Sequence, residues 1–245
     1  MMFADGELLN WFCESDTPRH ATLFDPAKQS PAEAALKAKI VVEVGSKLIL
    51  IGGSTDTPND LVNATVVAIK EVVDVPVVLF PGGAHALSPN ADGILFMMLM
   101  NSKNPRFLIG EQVKGATWLY ENGVEMLPTA YLICEPGGKV GEVGNAIPLT
   151  SPEEVISYSL CAKGYGMKIV YLEAGSGAES PVHIDMIKVA HADCLIVGGG
   201  IRTKEDVRNA VEAGADWIVT GTLIEDYEID LLAEKLKTLF LHLHK

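Results

Sequence analysis

The chain has 245 residues, of which 48% are hydrophobic and 21% charged, as in ordinary globular domains. Its net charge of -13 predicts a surface that repels nucleic acid, so we expect no nucleic-acid partner. The four cysteines are far apart, we expect no secretory leader, and the most apolar stretch, residues 93–100, is too short to span a bilayer. We therefore expect a cytoplasmic protein without a transmembrane segment.

Short apolar runs alternate with helical patterns after a helix-rich lead-in at residues 1–19. The predicted strands lie at residues 21–24, 48–51, 75–80, 93–100, 129–134, 168–173, 194–197 and 217–219. The predicted helices lie at residues 31–43, 58–73, 105–122 and 152–165, after Thr203, near Asp226, and at residues 229–243. Eight strands alternating with helices, without a low-complexity linker, predict one α/β domain over residues 1–245, a single (β/α)8 barrel.

Two connections depart from the regular alternation. Residues 84–92 follow the third strand but contain the turn Ser88-Pro89-Asn90 and are too few for a full helix, so the third helix is predicted to be degenerate. The loop at residues 135–148 is long and rich in glycine, which is typical of a loop that faces a substrate.

Glycine-rich turns follow the last two predicted strands. Gly198-Gly199-Gly200 follows the seventh strand, and Gly221-Thr222 follows the eighth. Glycines at a strand-to-helix junction let backbone N–H groups approach an anion, and the N-terminus of the following helix adds a favourable dipole. Two such turns on consecutive late strands are typical of a barrel that binds phosphate, although each turn alone is also explained as an ordinary tight turn.

Polar residues at the carboxyl ends of other strands are further candidates, because a barrel carries its active site there. Asp25 ends the first strand and Ser54 follows the second, a pair that fits Mg²⁺ held together with water and phosphate oxygens. Asp25 is equally explained as the cap of the next turn. Glu173 ends the sixth strand and suits hydrogen bonds from a polyol, with a role as general base or orienting group.

Five stretches in order along the chain carry a resemblance to a known family. They are Thr22-Leu23-Phe24-Asp25-Pro26 with Lys28, Gly52-Gly53-Ser54-Thr55, Pro128-Thr129-Ala130-Tyr131, Tyr171-Leu172-Glu173-Ala174-Gly175-Ser176-Gly177 and Val197-Gly198-Gly199-Gly200-Ile201-Arg202. Together they resemble the geranylgeranylglyceryl phosphate synthase family, which includes bacterial heptaprenylglyceryl phosphate synthases, over essentially the whole chain. The stretch around Glu173 is the most specific, since the Gly-rich turn is shared with many phosphate-binding barrels.

The resemblance implies a prenyltransferase that joins an isoprenoid diphosphate, geranylgeranyl diphosphate, to the 3-hydroxyl of sn-glycerol 1-phosphate in archaeal ether-lipid synthesis. It implies a homo-oligomer, Mg²⁺ as cofactor with Asp25 and Ser54 as ligands, and Glu173 as the catalytic residue. Many family members have an acidic residue where this chain has Ala27. The implied glycerol 1-phosphate site consists of Tyr171, Leu172, Glu173, Ala174, Gly175, Ser176, Gly177, Gly199, Gly200, Gly221 and Thr222. The prenyl tail is expected in an apolar groove beside the degenerate third unit and strands two to four.

Two alternatives are compatible with the same residues. A phosphosugar isomerase shares the late phosphate site but needs an acid/base pair at strands one and five, where this chain has Asp25 and Cys134-Glu135. A non-catalytic barrel that binds a phosphorylated metabolite predicts binding without turnover.

Overall fold

Eight parallel strands close into a barrel in the order of the sequence, with the last strand paired to the first. The computed structural model describes residues 6–52, 57–222, 224, 229–240 and 243. The strands are β1 Arg19–Phe24, β2 Leu48–Gly52, β3 Val77–Phe80, β4 Gly93–Leu99, β5 Glu125–Ile133, β6 Ile169–Glu173, β7 Cys194–Gly198 and β8 Trp217–Thr220. This confirms the predicted (β/α)8 barrel, whose strands are apolar because helices or the barrel interior bury both faces.

Helices surround this barrel and cover one of its ends. They are α1 Glu7–Cys13, α2 Pro31–Val44, α3 Asn59–Lys70, α4 Glu111–Glu121, α5 Gly138–Val143, α6 Pro152–Gly164, α7 Ile184–Lys188, α8 Lys204–Glu212 and α9 Ile229–Leu239. A capping box begins α2, with Ser30 Oγ accepting from the Glu33 N–H. The helix predicted near Asp226 lies outside the described residues.

The third unit is irregular, as predicted. Residues 81–92, all of them described, form only turns and bends between β3 and β4. Because no helix pairs the polar groups of this segment, side chains of α3 form hydrogen bonds with some of them. The Leu87 N–H donates to Asn59 Oδ1 at 2.8 Å, and the Ser88 hydroxyl donates to Asn63 Oδ1 at 2.7 Å. The region outside β3, where a regular barrel has its third helix, therefore contains no helix in this protein.

Several boundaries differ from the prediction. Strand β5 begins at Glu125 rather than 129, because the parallel pairing with β4 continues through Pro128, although proline cannot donate a hydrogen bond to the sheet. The loop at residues 135–148 contains the short helix α5, and α7 was not predicted. The helical pattern from residue 105 consists of a π-helical turn, Arg106–Gly110, followed by α4.

Helix α1 closes the amino end of the barrel. Phe12 packs on Trp217 with ring centroids 4.8 Å apart, and both side chains are buried in the barrel interior. The Glu125 carboxylate accepts from the Leu8 and Leu9 N–H groups at 3.1 and 2.8 Å, which caps the first turn of α1. With this end closed, the interior opens toward solvent at the carboxyl ends of the strands.

Candidate active site

One large cavity lies at the carboxyl ends of the strands, with a volume of about 380 Å³. Its polar end is bordered by the ends of β6, β7, β8 and β1, and an apolar arm extends from it toward the third unit and α4. Eight of the predicted site residues line this cavity: Asp25, Tyr171, Glu173, Ser176, Gly199, Gly200, Gly221 and Thr222. The sequence-based candidates therefore converge on one pocket.

Glu173 lies at the centre of the polar end and is almost completely buried. Its Oε1 accepts from the Gly175 N–H at 2.7 Å, so the turn after β6 holds the carboxylate in place. It also contacts the turn after β7 so closely that a Cβ added to Gly199 would lie 2.3 Å from Oε1. The ends of β6 and β7 thus meet at this carboxylate.

Burial raises the pKa of Glu173 to about 7, although the Gly175 N–H and the neighbouring Tyr171 hydroxyl act in the opposite direction. The Tyr171 hydroxyl lies beside the carboxylate but is itself buried without a well-formed hydrogen bond. A carboxyl group with this pKa exchanges a proton near neutral pH, which suits a general base.

The turn after β7 exposes backbone N–H groups to the polar end. Gly199 and Gly200 have φ angles of +79° and +69°, a region that favours glycine. Within the described residues, the N–H groups of Gly199, Gly200 and Gly221 donate to no other protein group, and all three glycines line the cavity. Three unpaired N–H groups around one cavity are the arrangement that binds an anion such as phosphate.

Arg202 stabilises this arrangement. Its guanidinium donates to the backbone oxygens of Ala178 at 2.6 Å and Gly177 at 3.2 Å, which joins the loop after β6 to the turn after β7.

Four of the residues predicted to bind the acceptor lie behind the wall of the cavity and do not line it. Leu172 and Ala174 are buried between barrel and helices, and Gly175 and Gly177 contribute backbone groups to the hydrogen bonds above.

Asp25, one of the two predicted Mg²⁺ ligands, lines the same cavity. Its Oδ1 accepts from the Ala27 N–H at 2.9 Å, so Asp25 also caps the short 3-10 helix Pro26–Lys28. The alternative prediction, that Asp25 caps the next turn, is therefore confirmed. Lys28 lines the cavity next to it. Ser54, the second predicted ligand, lies outside the described residues. The described part of the chain contains no cluster of three or more His, Cys, Asp or Glu side chains suited to a metal ion.

The apolar arm runs between the third unit and α4. On one side it is lined by Ala84 and Leu87 of the third unit and by Ile94 and Phe96 of β4. The opposite wall was not predicted and consists of Phe107, Glu111, Gln112, Gly115 and Leu119. Gly115, a glycine inside the helix predicted at residues 105–122, is a sequence signal that could have indicated this wall.

Comparison with known proteins agrees with this fold and site. The model of the PcrB family matches residues 13–239. Geranylgeranylglyceryl phosphate synthase from Methanococcoides burtonii is 48% identical over 226 residues, covering 90% of this chain and 92% of the relative. The enzyme of the same name from Methanopyrus kandleri is 48% identical over 223 residues, 89% of this chain and 92% of the relative.

Solved structures give the same relationship. The Thermoplasma acidophilum (S)-3-O-geranylgeranylglyceryl phosphate synthase, solved in complex with its substrate sn-glycerol-1-phosphate, superposes with a TM-score of 0.91 at 36% identity and covers 98% of this chain and 99% of its own. The Thermoplasma volcanium protein has a TM-score of 0.90 at 40% identity, with 96% of each chain covered. A thiamine phosphate pyrophosphorylase from Pyrococcus furiosus, at 13% identity and TM-score 0.57, shares the fold alone.

Fold and site together define a (β/α)8 barrel in which one pocket joins a glycine-rich polar end to an apolar arm. Within that class, the chain belongs to the PcrB family, together with the geranylgeranylglyceryl phosphate synthases.

Proposed function

We propose that this protein is a prenyltransferase that joins an isoprenoid diphosphate to the 3-hydroxyl of sn-glycerol 1-phosphate. The observation that carries the proposal is the shape of the large cavity formed by the described residues, in which a buried carboxylate and unpaired N–H groups open directly into an apolar arm. A small phosphorylated acceptor fits the polar end, and a hydrocarbon tail fits the arm.

At the polar end, the phosphate of the acceptor binds the N–H groups of Gly199, Gly200 and Gly221. Its glycerol hydroxyls then face Glu173 and Tyr171, two residues that line the same cavity. The similarity to the Thermoplasma acidophilum enzyme, which was solved with sn-glycerol-1-phosphate, supports this choice of acceptor. Phosphate and carboxylate are kept apart because they contact opposite ends of the acceptor.

At the donor end, Asp25 and Lys28 suit the diphosphate and a Mg²⁺ ion. The residues present fit such an ion, because Mg²⁺ commonly takes one or two protein carboxylates and completes its shell with water and phosphate oxygens. Asp25 lines the cavity, and its carboxylate accepts from the Ala27 N–H at 2.9 Å through Oδ1. Ser54 is proposed as the second ligand. When bound, the ion stabilises the charge that develops on the leaving diphosphate.

The reaction itself forms one bond and breaks another. The acceptor 3-hydroxyl oxygen attacks C1 of the allylic chain, the bond between C1 and the diphosphate oxygen breaks, and the hydroxyl proton passes to the Glu173 carboxylate. Because burial raises the pKa of Glu173 to about 7, the carboxylate is basic enough to take the proton near neutral pH. Holding both substrates in one cavity supplies much of the remaining rate by orientation.

The geometry disfavours the isomerase alternative. Its second acid/base group is expected after β5, but Cys134 is buried there with a pKa raised to about 12 by burial, and Glu135 is exposed and lies away from the cavity lining. The apolar arm has no purpose in an isomerase that acts on a small polar sugar phosphate. A binding barrel without turnover is separated from the enzyme only by an assay.

Radiolabelled sn-glycerol 1-phosphate incubated with geranylgeranyl diphosphate and Mg²⁺ tests the proposal. We expect label to move into an organic-extractable product whose mass equals one acceptor plus one geranylgeranyl group. Parallel reactions with sn-glycerol 3-phosphate, or with EDTA in place of Mg²⁺, are expected to give little product. Tight acceptor binding without any extractable label would favour the non-catalytic barrel.

The assembly and location of the protein are part of the same proposal. Within the described residues, no helix is long and apolar enough to cross a membrane. The outer face of α4 and the turn before it expose Ile109, Val113 and Tyr120 at 55, 66 and 81%. Such an apolar face supports the proposal of a homo-oligomer, which multi-angle light scattering tests by the mass of the particle in solution. The location proposed with it is the cytoplasm.

A further inference from the structure

Two cysteines lie together at the amino end of the barrel, which is the end opposite the cavity. Cys13 is the last residue of α1, and Cys194 is the first residue of β7. Their thiol groups interact with one another, although most of the barrel separates them in the sequence. The reaction proposed above uses neither thiol, so the pair has no role in the site already described.

The carbonyl group of Phe12 holds the end of α1 beside Cys194. Its oxygen accepts from Arg19 Nη2 at 2.6 Å and from Trp217 Nε1 at 2.9 Å. The Sγ atom of Cys194 lies 3.6 Å from the same oxygen. Because this carbonyl group belongs to the peptide bond that leads into Cys13, the Cys194 sulfur is held next to the residue that carries the second thiol, as a disulfide requires.

The two thiols differ in exposure and in the charges around them. Cys13 is partly exposed, whereas Cys194 is completely buried. The Cys194 thiol, together with the positive charges of Lys168 and Arg19, lowers the pKa of Cys13 against the effects of burial and of Asp193. The interaction with Cys13 and burial raise the pKa of Cys194. Cys13 is therefore the thiolate that meets a reagent from solvent, and Cys194 is the thiol that reacts second.

We propose that Cys13 and Cys194 form a reversible disulfide that fastens α1 to β7, with a low-molecular-weight disulfide as the oxidant. The Cys13 thiolate attacks one sulfur of the small disulfide, whose S–S bond breaks and releases one small thiolate. Cys194 Sγ then attacks Cys13 Sγ, the mixed disulfide breaks, and the Cys194 proton passes to the second small thiolate as it leaves. The two cysteines are oxidised, and the small disulfide is reduced to two thiols.

Stability, rather than the shape of the active site, is the property that this disulfide changes. The segment between the two cysteines contains every strand from β1 to β6, so the bond closes a very long loop in the unfolded chain. Closing a long loop restricts the unfolded state and thereby favours the folded one. The cavity lies at the other end of the barrel, at the carboxyl ends of the strands.

A variant with Cys161→Ser is the starting protein for the test, because Cys161 is exposed on α6 and competes for the reagent. This protein, and the same protein with Cys13→Ser or Cys194→Ala added, are treated in the folded state with excess glutathione disulfide. The remaining thiols are blocked, and the peptides of an unreduced digest are identified by mass spectrometry. The Tm is measured by circular dichroism before and after treatment, and again after dithiothreitol.

In the starting protein we expect one linked peptide pair that contains Cys13 and Cys194. Cys134 is expected to stay reduced, since burial raises its pKa to about 12. The Tm is expected to rise by about 5 °C or more on oxidation and to return with dithiothreitol. Cys194→Ala is expected to stop at a glutathione adduct on Cys13, and Cys13→Ser to leave Cys194 reduced.

Three results would overturn the proposal. They are a folded starting protein in which both thiols stay reduced, one in which Cys13 keeps its glutathione adduct beside an intact Cys194, and a linked pair without a rise in Tm. None of these measurements depends on turnover, so the outcome is independent of the proposed function.

Discussion

Replacing Glu173 by glutamine is expected to destroy turnover and, at alkaline pH, to make the protein more stable. Burial raises the pKa of this group from 4.5 to about 7 in the folded protein. The ionised form is thus the one that folding disfavours, and the difference corresponds to about 3 kcal/mol. Glutamine is neutral, has nearly the same shape and still accepts from the Gly175 N–H, so it avoids this cost.

The direction of the pKa shift determines the pH range over which Glu173 lowers the stability of the fold. Because the folded-state pKa is the higher one, Glu173 costs no stability below about pH 4.5, where it is protonated in both states. The cost grows as the pH rises and is complete above about pH 7. The stability gained by Glu173→Gln is therefore expected to be near zero at about pH 4.5 and to approach ~3 kcal/mol at about pH 8.

Whereas Glu173→Gln is expected to gain stability, it is expected to lose activity. Removing a general base typically lowers the rate by roughly 10² to 10⁴. In the unmodified enzyme, kcat/KM for the acceptor is expected to fall about tenfold for each pH unit below about 7, as the carboxylate is protonated. The Glu173→Gln variant is expected to lose this dependence along with its turnover.

Urea unfolding across this pH range and the radiolabel assay measure both effects on the same preparations. Glu142→Gln, at an exposed position of α5, is the matched control for removal of one negative charge. Near-normal turnover of Glu173→Gln would exclude Glu173 as the general base, and a stability difference from the unmodified protein that is the same at every pH would exclude the raised pKa.

Three further predictions concern other parts of the molecule. Asp25→Asn is expected to raise the Mg²⁺ concentration for half-maximal turnover at least about tenfold, and an unchanged titration would remove Asp25 from the metal site. Gly200→Ala places a Cβ 2.3 Å from the Ser180 oxygen at a φ of +69°, so calorimetry is expected to find acceptor binding weakened at least about tenfold, and normal binding would contradict the phosphate site. Burial lowers the pKa of His20 from 6.5 to about 3, so stability falls by up to ~5 kcal/mol as the pH drops between these values. His20→Asn is expected to flatten that part of the curve, and equal acid sensitivity in urea titrations would be inconsistent with a neutral buried His20.

The barrel could be predicted from the sequence because parallel strands buried on both faces appear as short continuous apolar runs. The irregular third unit was equally accessible, since Ser88-Pro89-Asn90 leaves too few residues for a helix. The start of β5 was missed because the tertiary pairing with β4 outweighs the local effect of Pro128.

The polar end of the site was predictable for a related reason. Residues that end a strand or directly follow it, such as Glu173 and Gly199, must lie at the carboxyl end of a barrel. The apolar arm was only half predictable, because its far wall on α4 arises from the space between two elements rather than from a local pattern. The pKa of Glu173 and the backbone contacts of Arg202 also depend on burial and on loop geometry that no short stretch of sequence contains.

The central claim is that one pocket holds both substrates, with the acceptor at the glycine-rich end and the tail beside α4. A crystal structure with sn-glycerol 1-phosphate, Mg²⁺ and a non-hydrolysable geranylgeranyl diphosphate analogue tests this most directly. We expect the acceptor phosphate against the N–H groups of Gly199, Gly200 and Gly221, a glycerol hydroxyl at Glu173, and the tail in the apolar arm beside α4. A tail lying outside the arm, or an acceptor phosphate bound away from these glycines, would contradict the account.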